Sequence, residues 1–142
     1  MNVHQVMTPN VRTIQSEATI FEAARIMREA NVGVLLVVAG KRLLGTVTDR
    51  DIVTQAIATG RDVTRDVIGT VMTDDVMICR KGDRLGDVVR TMMDNHVHRL
   101  PVLNSDDTIA GIISIDDIAR LKPDLVTGEV VSAIAGHGEL VA

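Results

Sequence analysis

The sequence predicts an α/β fold of the α+β kind: two βαββα repeats packed face to face with pseudo-twofold symmetry. Three observations lead there. Hydrophobic residues make up 46% of the 142 residues, yet there is one Phe and neither Tyr nor Trp. The core must therefore be aliphatic, and β-branched strands with Leu, Met and Ala helices are the elements that build such a core. Next, "GTVTDRDI" (Gly45–Ile52) and "GIISIDDI" (Gly111–Ile118) write one phrase twice, Gly-x-x-(Thr/Ser)-x-x-Asp-Ile, each time behind a β-branched run.

The third observation is that the repetition extends through most of the chain. Val6, Met7 and Thr8 of "VMTPNVRTI" fall on Val71, Met72 and Thr73 of "VMTDDVMIC" at an offset of 65. Arg25, Met27, Val32 and Val37 fall on Arg90, Met92, Val97 and Val102 at the same offset. With one residue inserted near Ser105–Asp107, Gly45, Asp51 and Ile52 fall on Gly111, Asp117 and Ile118 at an offset of 66. One register kept over such a length is a duplication. A half of roughly sixty residues is marginal as a free-standing core. The two halves are expected to fold as one unit with two equivalent clefts.

In chain order, a short strand is expected at Asn10–Thr13. Ser16 or Thr19 can cap the helix that follows, where Ile20, Ala23, Ala24, Met27 and Ala30 draw one apolar stripe at helical spacing. The apolar run Val34–Val38 reads as a strand, "GKR" as a turn and Leu43–Val47 as a second strand. A second helix starts at the hydroxyl phrase and runs to about Thr59, where Gly60 ends it. In the second half Leu85, Val88, Val89, Met92 and Met93 share a helix face. Strands Arg99–Leu103 and Thr108–Ile113 flank the turn "NSDD". Pro123 stops the helix Asp116–Leu121. The boundaries so drawn are 1–62 for the first repeat, with "TGRDVTRDVIG" as the link, 63–123 for the second, and 124–142 for a tail. In that tail Leu125, Val126, Val130, Val131 and Ile134 form a weak helical pattern before a frayed "GHGELVA".

Composition narrows the function. A formal net charge of −4 with acids and bases interspersed argues against nucleic acid as the main partner, and the missing aromatics remove base-stacking platforms. No apolar run reaches a membrane span, and "MNVHQVMTPN" has neither the basic start nor the apolar core of a signal peptide. A cytoplasmic address is expected. The single Cys79 builds no disulfide framework and, in the strand-like "VMIC", reads as an inert buried thiol.

The repeated phrase has two readings. As a helix cap, Thr48 or Ser114 is the hydroxyl N-cap and Asp51 or Asp117 the acid at N3. Against this as a complete account, Asp is short for the reach back to the cap, which favours Glu or Gln. As a ligand site, the phrase sits where free N–H groups favour anionic ligands, a carboxylate there can accept both hydroxyls of a ribose, and the Thr or Ser hydroxyl can hold a sugar or phosphate oxygen. The cap could fix the geometry that the site uses.

The "MT-x-x-V" that opens each half, "HRLPV" at His98–Val102 and the two Gly-h-h-(Thr/Ser)-x-x-Asp phrases together resemble the tandem CBS domain family, the paired arrangement called a Bateman module. The likeness covers about Val6 to Leu121. "TDRDIVTQAIATGRD" is similar to stand-alone bacterial CBS-pair proteins, including the hypoxic-response type. The resemblance implies a non-catalytic regulatory module that binds AMP, ADP, ATP or S-adenosylmethionine, signals to an effector protein and forms a homodimer; no covalent cofactor is implied. Thr48 and Asp51 would hold ribose in one cleft, and Ser114 and Asp117 in the other. His98 and Arg99 would face phosphates, while backbone near Thr13, Val34, Cys79 and Leu100 would flank the base. Gly33 and Val34 stand where the second half has His98 and Arg99, so the two sites should differ.

Other classes find less support. There is no Walker loop, nucleophile elbow, His-Glu-x-x-His or dinucleotide glycine fingerprint. His96 and His98 could share a strand face, but His96 belongs to the end of the preceding helix, and His4 and His137 lie near the termini; no metal site is expected. The remaining rival is a protein-interaction module of the same fold with no functional nucleotide binding.

Overall fold

The computed structural model describes residues 1–135. They form two compact units: one is Val11–Val76, and the other joins Met1–Asn10 to the chain from Met77 onward. Each contains one three-stranded sheet. The expected boundaries at 1–62 and 63–123 follow the repeat in sequence. The packing follows a different cut, because the first ten residues bond to the second repeat.

In the 11–76 unit, β1 (Thr13–Gln15) runs parallel to β2 (Val34–Ala39), and β2 is antiparallel to β3 (Arg42–Thr48). The expected first strand was Asn10–Thr13. Asn10 adopts a left-handed φ of 56°, which no strand residue holds, so the strand begins later. Its edge is fastened by Gln15, whose amide both donates to Gly40 O (3.2 Å) and accepts from Gly40 N (3.0 Å). Helix α1 (Ile20–Ala30) starts at Thr19, whose hydroxyl accepts from Glu22 N at 3.1 Å, and ends at Asn31 in the left-handed region. Ile20, Ala23 and Met27 are buried against Leu35, Val37 and Val47.

The second helix opens as α2 (Asp49–Asp51) and widens at once into a π-helical turn, Ile52–Ile57. Its wider bonds include Ala58 N to Val53 O (2.9 Å) and Arg61 N to Ala56 O (3.0 Å). Gly60, at a φ of 80°, follows its end as expected. The segment read as a link is instead pinned along the start of α1. Asp66 O accepts from Ile20 N, Val63 O accepts from Phe21 N, and Ile68 N donates to Ala18 O. Ile68 itself is wholly buried in the core.

The other unit repeats the plan with β4 (Cys79–Arg80), α3 (Leu85–Asn95), β5 (Arg99–Leu103), β6 (Ile109–Ser114) and α4 (Ile115–Leu121). β4 pairs parallel with β5, and β5 antiparallel with β6. Pro123 opens a 3₁₀ turn, Pro123–Leu125, where a second helix could not continue. A 3₁₀ turn at Val3–Gln5 tucks in beside α3: Val3 N donates to Asp83 O (3.0 Å), His4 N donates to Lys81 O (3.1 Å), and Val3 and Val6 are buried with Val88, Met92 and Ile113. The tail helix α5 (Gly128–Ile134) buries Val130 and Ile134 in the same core, while Val131 of the expected stripe is exposed. His96, the left-handed C-cap of α3, holds α5 through a 2.7 Å hydrogen bond between its Nδ1 and Ala133 O. A carbonyl only accepts, so Nδ1 carries the proton. The terminal "GHGELVA" lies outside the described residues.

Candidate functional site

The glycine of the repeated phrase belongs to the sheet. A Cβ on Gly45 would collide with the backbone carbonyl of Thr73, and one on Gly111 with that of Thr8. These are the threonines of the "MT" pairs. Thr73 exchanges two hydrogen bonds with Thr46 (2.8 and 2.9 Å), and Thr8 exchanges two with Ile112 (2.8 and 3.0 Å). Each "MT" thus adds a short edge pairing beside β3 or β6, and only a residue without a side chain lets it approach.

The hydroxyl and the acid form full capping boxes in both units. Asp51 N donates to Thr48 Oγ1 at 3.1 Å, and Thr48 N donates to Asp51 Oδ2 at 2.9 Å. Asp117 N donates to Ser114 Oγ at 3.1 Å, and Ser114 N donates to Asp117 Oδ2 at 3.0 Å. The expectation that Asp is too short to close the box is therefore corrected. Both caps have extended backbone, with φ −113° and ψ 163° at Thr48 and nearly the same at Ser114, and the shorter acid spans the gap.

A second correction concerns the free N–H groups. Asp49 N donates to Gly33 O (3.0 Å), Arg50 N to Asp49 Oδ1 (2.9 Å) and Asp51 N to the cap. In the other unit Ile115 N donates to His98 O (2.8 Å). The helix starts are therefore largely satisfied from within and offer no open cradle of amides to an anion.

What stays available is on the side chains. Each cap hydroxyl accepts a bond and keeps its own hydrogen to donate. Asp51 Oδ1 has no hydrogen-bond partner among the described residues, whereas Asp117 Oδ1 is held by Arg120 Nη2 at 2.9 Å. Arg120 was missed from sequence, although an acid and a base three apart on one helix face are a readable pair.

The strands bring further residues alongside. Val34 sits in register opposite Thr48, and Arg99, half-buried, opposite Ser114. His98 is exposed at the entry to β5, its carbonyl tied to α4. Thr13 is exposed on β1 opposite Leu36, two positions along β2 from Val34. Cys79 and Leu100 are buried core residues, opposite Val102 and Ile113, so only their backbone could face a ligand. Burial, and secondarily Asp83, pushes the Cys79 thiol up to about 12. Thr13, Val34, Thr48 and Asp51 thus gather in the 11–76 unit, while Cys79, His98, Arg99, Leu100, Ser114 and Asp117 gather in the other. Among the described residues no three His, Cys, Asp or Glu stand close enough to hold a metal ion, and no helix is long and apolar enough to cross a membrane.

Comparison with known proteins agrees with this plan. A family model described as the CBS domain matches residues 3–57 and again 65–124. Hypoxic response protein 1 of Mycobacterium tuberculosis is 31% identical over 130 residues, 91% of this chain and 90% of that protein. A crystal structure titled Hypoxic Response Protein I with two coordinated zinc ions matches at a TM-score of 0.78 and 28% identity, over 87% of this chain and all of that one. The domain pair of protein MJ0100, in complex with 5′-methylthioadenosine and S-adenosyl-L-methionine, matches at a TM-score of 0.75 and 26% identity, over 87% of this chain and 97% of that one.

Proposed function

The chain belongs to the CBS domain family, and from that premise we propose that it is a non-catalytic regulatory module that binds adenosine-type ligands at its two capping boxes and signals to a partner protein. The observation that carries this is the reciprocal Thr48–Asp51 box, in which a carboxylate is fixed with one oxygen unpartnered among the described residues, beside a hydroxyl that still has a proton to donate. Vicinal ribose hydroxyls need that combination: strong acceptors within reach of both, and a donor for a neighbouring oxygen. The complex of the MJ0100 domain pair with two adenosine compounds supports the ligand class. Arg99, in register with Ser114, supplies a cation suited to phosphate for AMP, ADP or ATP. A cytoplasmic location, a homodimer and an effector protein are parts of the same proposal. Phe21, Val53 and Ile57 stand exposed on the 11–76 unit, and they favour the rival reading, a protein-interaction module without nucleotide binding.

A melting panel separates the two. A ligand that binds only the folded state at 100 times its Kd adds about 2.7 kcal/mol, which raises Tm by roughly 5 °C or more for a chain of this size. Adenosine, AMP, ADP, ATP, S-adenosylmethionine and a guanosine control are compared with an extrinsic dye, since neither Trp nor Tyr is present. Adenosine compounds are expected to raise Tm and the guanosine control not. In calorimetric titrations Asp51→Ala is expected to lose binding, while Asp94→Ala, an exposed acid on α3, is not. No shift with any adenosine compound leaves the interaction module as the reading.

A further inference from the structure

Helix α3 carries two apolar lines where α1, its counterpart, carries one. Leu85, Val88 and Met92 recur at i, i+3 and i+7 and are buried with Leu100, Val102 and Ile113 of the sheet. Ile20, Ala23 and Met27 do the same for α1. The second line on α3 is Val89, Met93 and His96, at i, i+4 and i+7, which one helix face holds together. The matching residues of α1 are Ala24, Arg28 and Asn31, and the last two are exposed.

The second line is covered by α5. That helix lies alongside α3. Its Val130 and Ile134 join the cluster that holds Val89 and Met93, and Ala133 O accepts the Nδ1 hydrogen of His96, the residue that ends the line. α5 begins beyond residue 124, where the second stretch matched to the CBS domain ends, so it is an addition to the repeat. Its hold is slight. Seven residues are too few for a helix to stand alone in water, and Gly128, Val130, Val131 and Ser132 are weak helix formers. Two buried side chains, the Thr127 cap at 3.3 Å and the His96 bond work against the entropy of ordering the segment. The joint is well defined: Leu125 and Val126 pack on the core ahead of it, and a Cβ on Gly128 meets nothing.

We infer that α5 is a releasable cover, and that the Val89–Met93–His96 face beneath it is an interaction surface for an amphipathic helix of a partner protein. The segment seated there shows the chemistry that fits: branched aliphatic residues four apart, as Val130 and Ile134 are. Once undocked, α5 loses its helix, so release is an order-to-disorder step. A longer partner helix keeps its own shape better and displaces α5 with equal contacts. The surface lies wholly on α3 and needs no ligand at either capping box, so its test is separate from that of the adenosine reading.

Hydrogen exchange of the full chain, followed by nuclear magnetic resonance over a urea series, reads the release. The amides of Val131 and Ala135, bonded to Thr127 O and Val131 O, are expected to exchange at least roughly tenfold faster than that of Met92, through an opening that urea scarcely affects. His96→Ala is expected to quicken those two amides about fivefold and to leave β5 and β6 as they were. A fluorescent peptide of residues 122–135 probes the face itself. In the unaltered chain the tethered α5 competes with it at high effective concentration. Ile134→Asp sets a charge in the core and loosens the cover, and this chain is expected to bind the peptide at least roughly tenfold more tightly. Met93→Arg in the same chain, which copies the exposed Arg28 of α1, is expected to abolish that binding. Exchange of α5 amides only with global unfolding, at the urea dependence of Met92, makes α5 a fixed part of the core and overturns the proposal. So does a peptide that binds neither chain, or both equally. Protection of α5 that rises with protein concentration overturns it too, by making the occupant the α5 of a second copy.

Discussion

Gly45 and Gly111 are occupied by the backbone of another segment rather than by empty space, and this makes a sharp test. Gly45→Ala sets a methyl group against the Thr73 carbonyl, and overpacking against backbone that cannot rotate away costs about 1–3 kcal/mol. Urea unfolding followed by far-ultraviolet circular dichroism is expected to show a loss in that range for Gly45→Ala and for Gly111→Ala. Gly82→Ala, where a Cβ meets nothing within 4 Å, is expected to stay within about 0.5 kcal/mol. The acids of the repeated phrase teach a related lesson. Their pairing with the preceding hydroxyl was readable in the sequence, but whether an Asp can close the box depends on the cap's ψ, which residue identity does not report.

Cys79 carries a pH dependence with a definite sign. Its folded value, raised to about 12 from an ordinary 9.0 by burial and then by Asp83, lies above the unfolded one. The folded state therefore keeps its proton where the unfolded state gives one up. The contribution is whole below pH 9 and is lost progressively as the pH rises from there towards 12. A thiol reagent at pH 8 is expected to leave the native protein unmodified and to label it once urea unfolds it. Rapid labelling of the native protein would show that the thiol is accessible.

Among the helices, α1 and α3 correspond in length, apolar face and left-handed C-cap, Asn31 in one and His96 in the other. Their starts differ. α1 is capped by Thr19, while α3 begins behind Arg84 with no side-chain cap and carries Gly86 in its first turn. A Cβ on Gly86 meets nothing, so Gly86→Ala is expected to raise stability by about 0.5 kcal/mol through the unfolded chain's lost freedom, seen as a higher urea midpoint with an unchanged slope. Strands β2, β5 and β6 and the apolar stripes of α1 and α3 were legible to within a residue or so, because alternation and helical period are written into the positions of Val, Leu, Ile and Met. Three features were not. The start of β1 turns on the φ of Asn10, the π turn at Ile52–Ile57 has no sequence signature, and Ile68 lies in a polar stretch that reads as a connection although its side chain completes a core. Of the site, the hydroxyls and acids were legible from their repetition, whereas the bond from Asp49 N to Gly33 O, which satisfies the helix start from within, emerged only from the structure.

The assignment of residues 1–10 to the unit formed by the second repeat means that each sheet receives its "MT" pairing from the start of the other repeat's sequence. Val3, fully buried among Val88, Met92 and Ile113, ties the leader in place. Val3→Ala is expected to cost about 2 kcal/mol and to spend it unevenly. Amide exchange in β5 and β6 should quicken before that in β2 and β3, although residue 3 is closer to the latter strands in sequence. The reverse order would mean that the leader belongs with the repeat it precedes.

That exchange of leaders has a consequence for synthesis. A ribosome extends a chain by roughly 5–20 residues per second, so Val3 is made several seconds before Asp83, whose carbonyl receives its amide proton. Thr73 is made shortly before Asp83, and from then until Met92 and Ile113 follow, the 11–76 segment can close its sheet with Thr73 while Val3 and Val6 still lack their core partners. The nascent protein is therefore expected to pass through a stage in which one half is finished while the apolar residues ahead of it are still unburied, open to capture by a chaperone or by the same segment of a neighbouring polysome product.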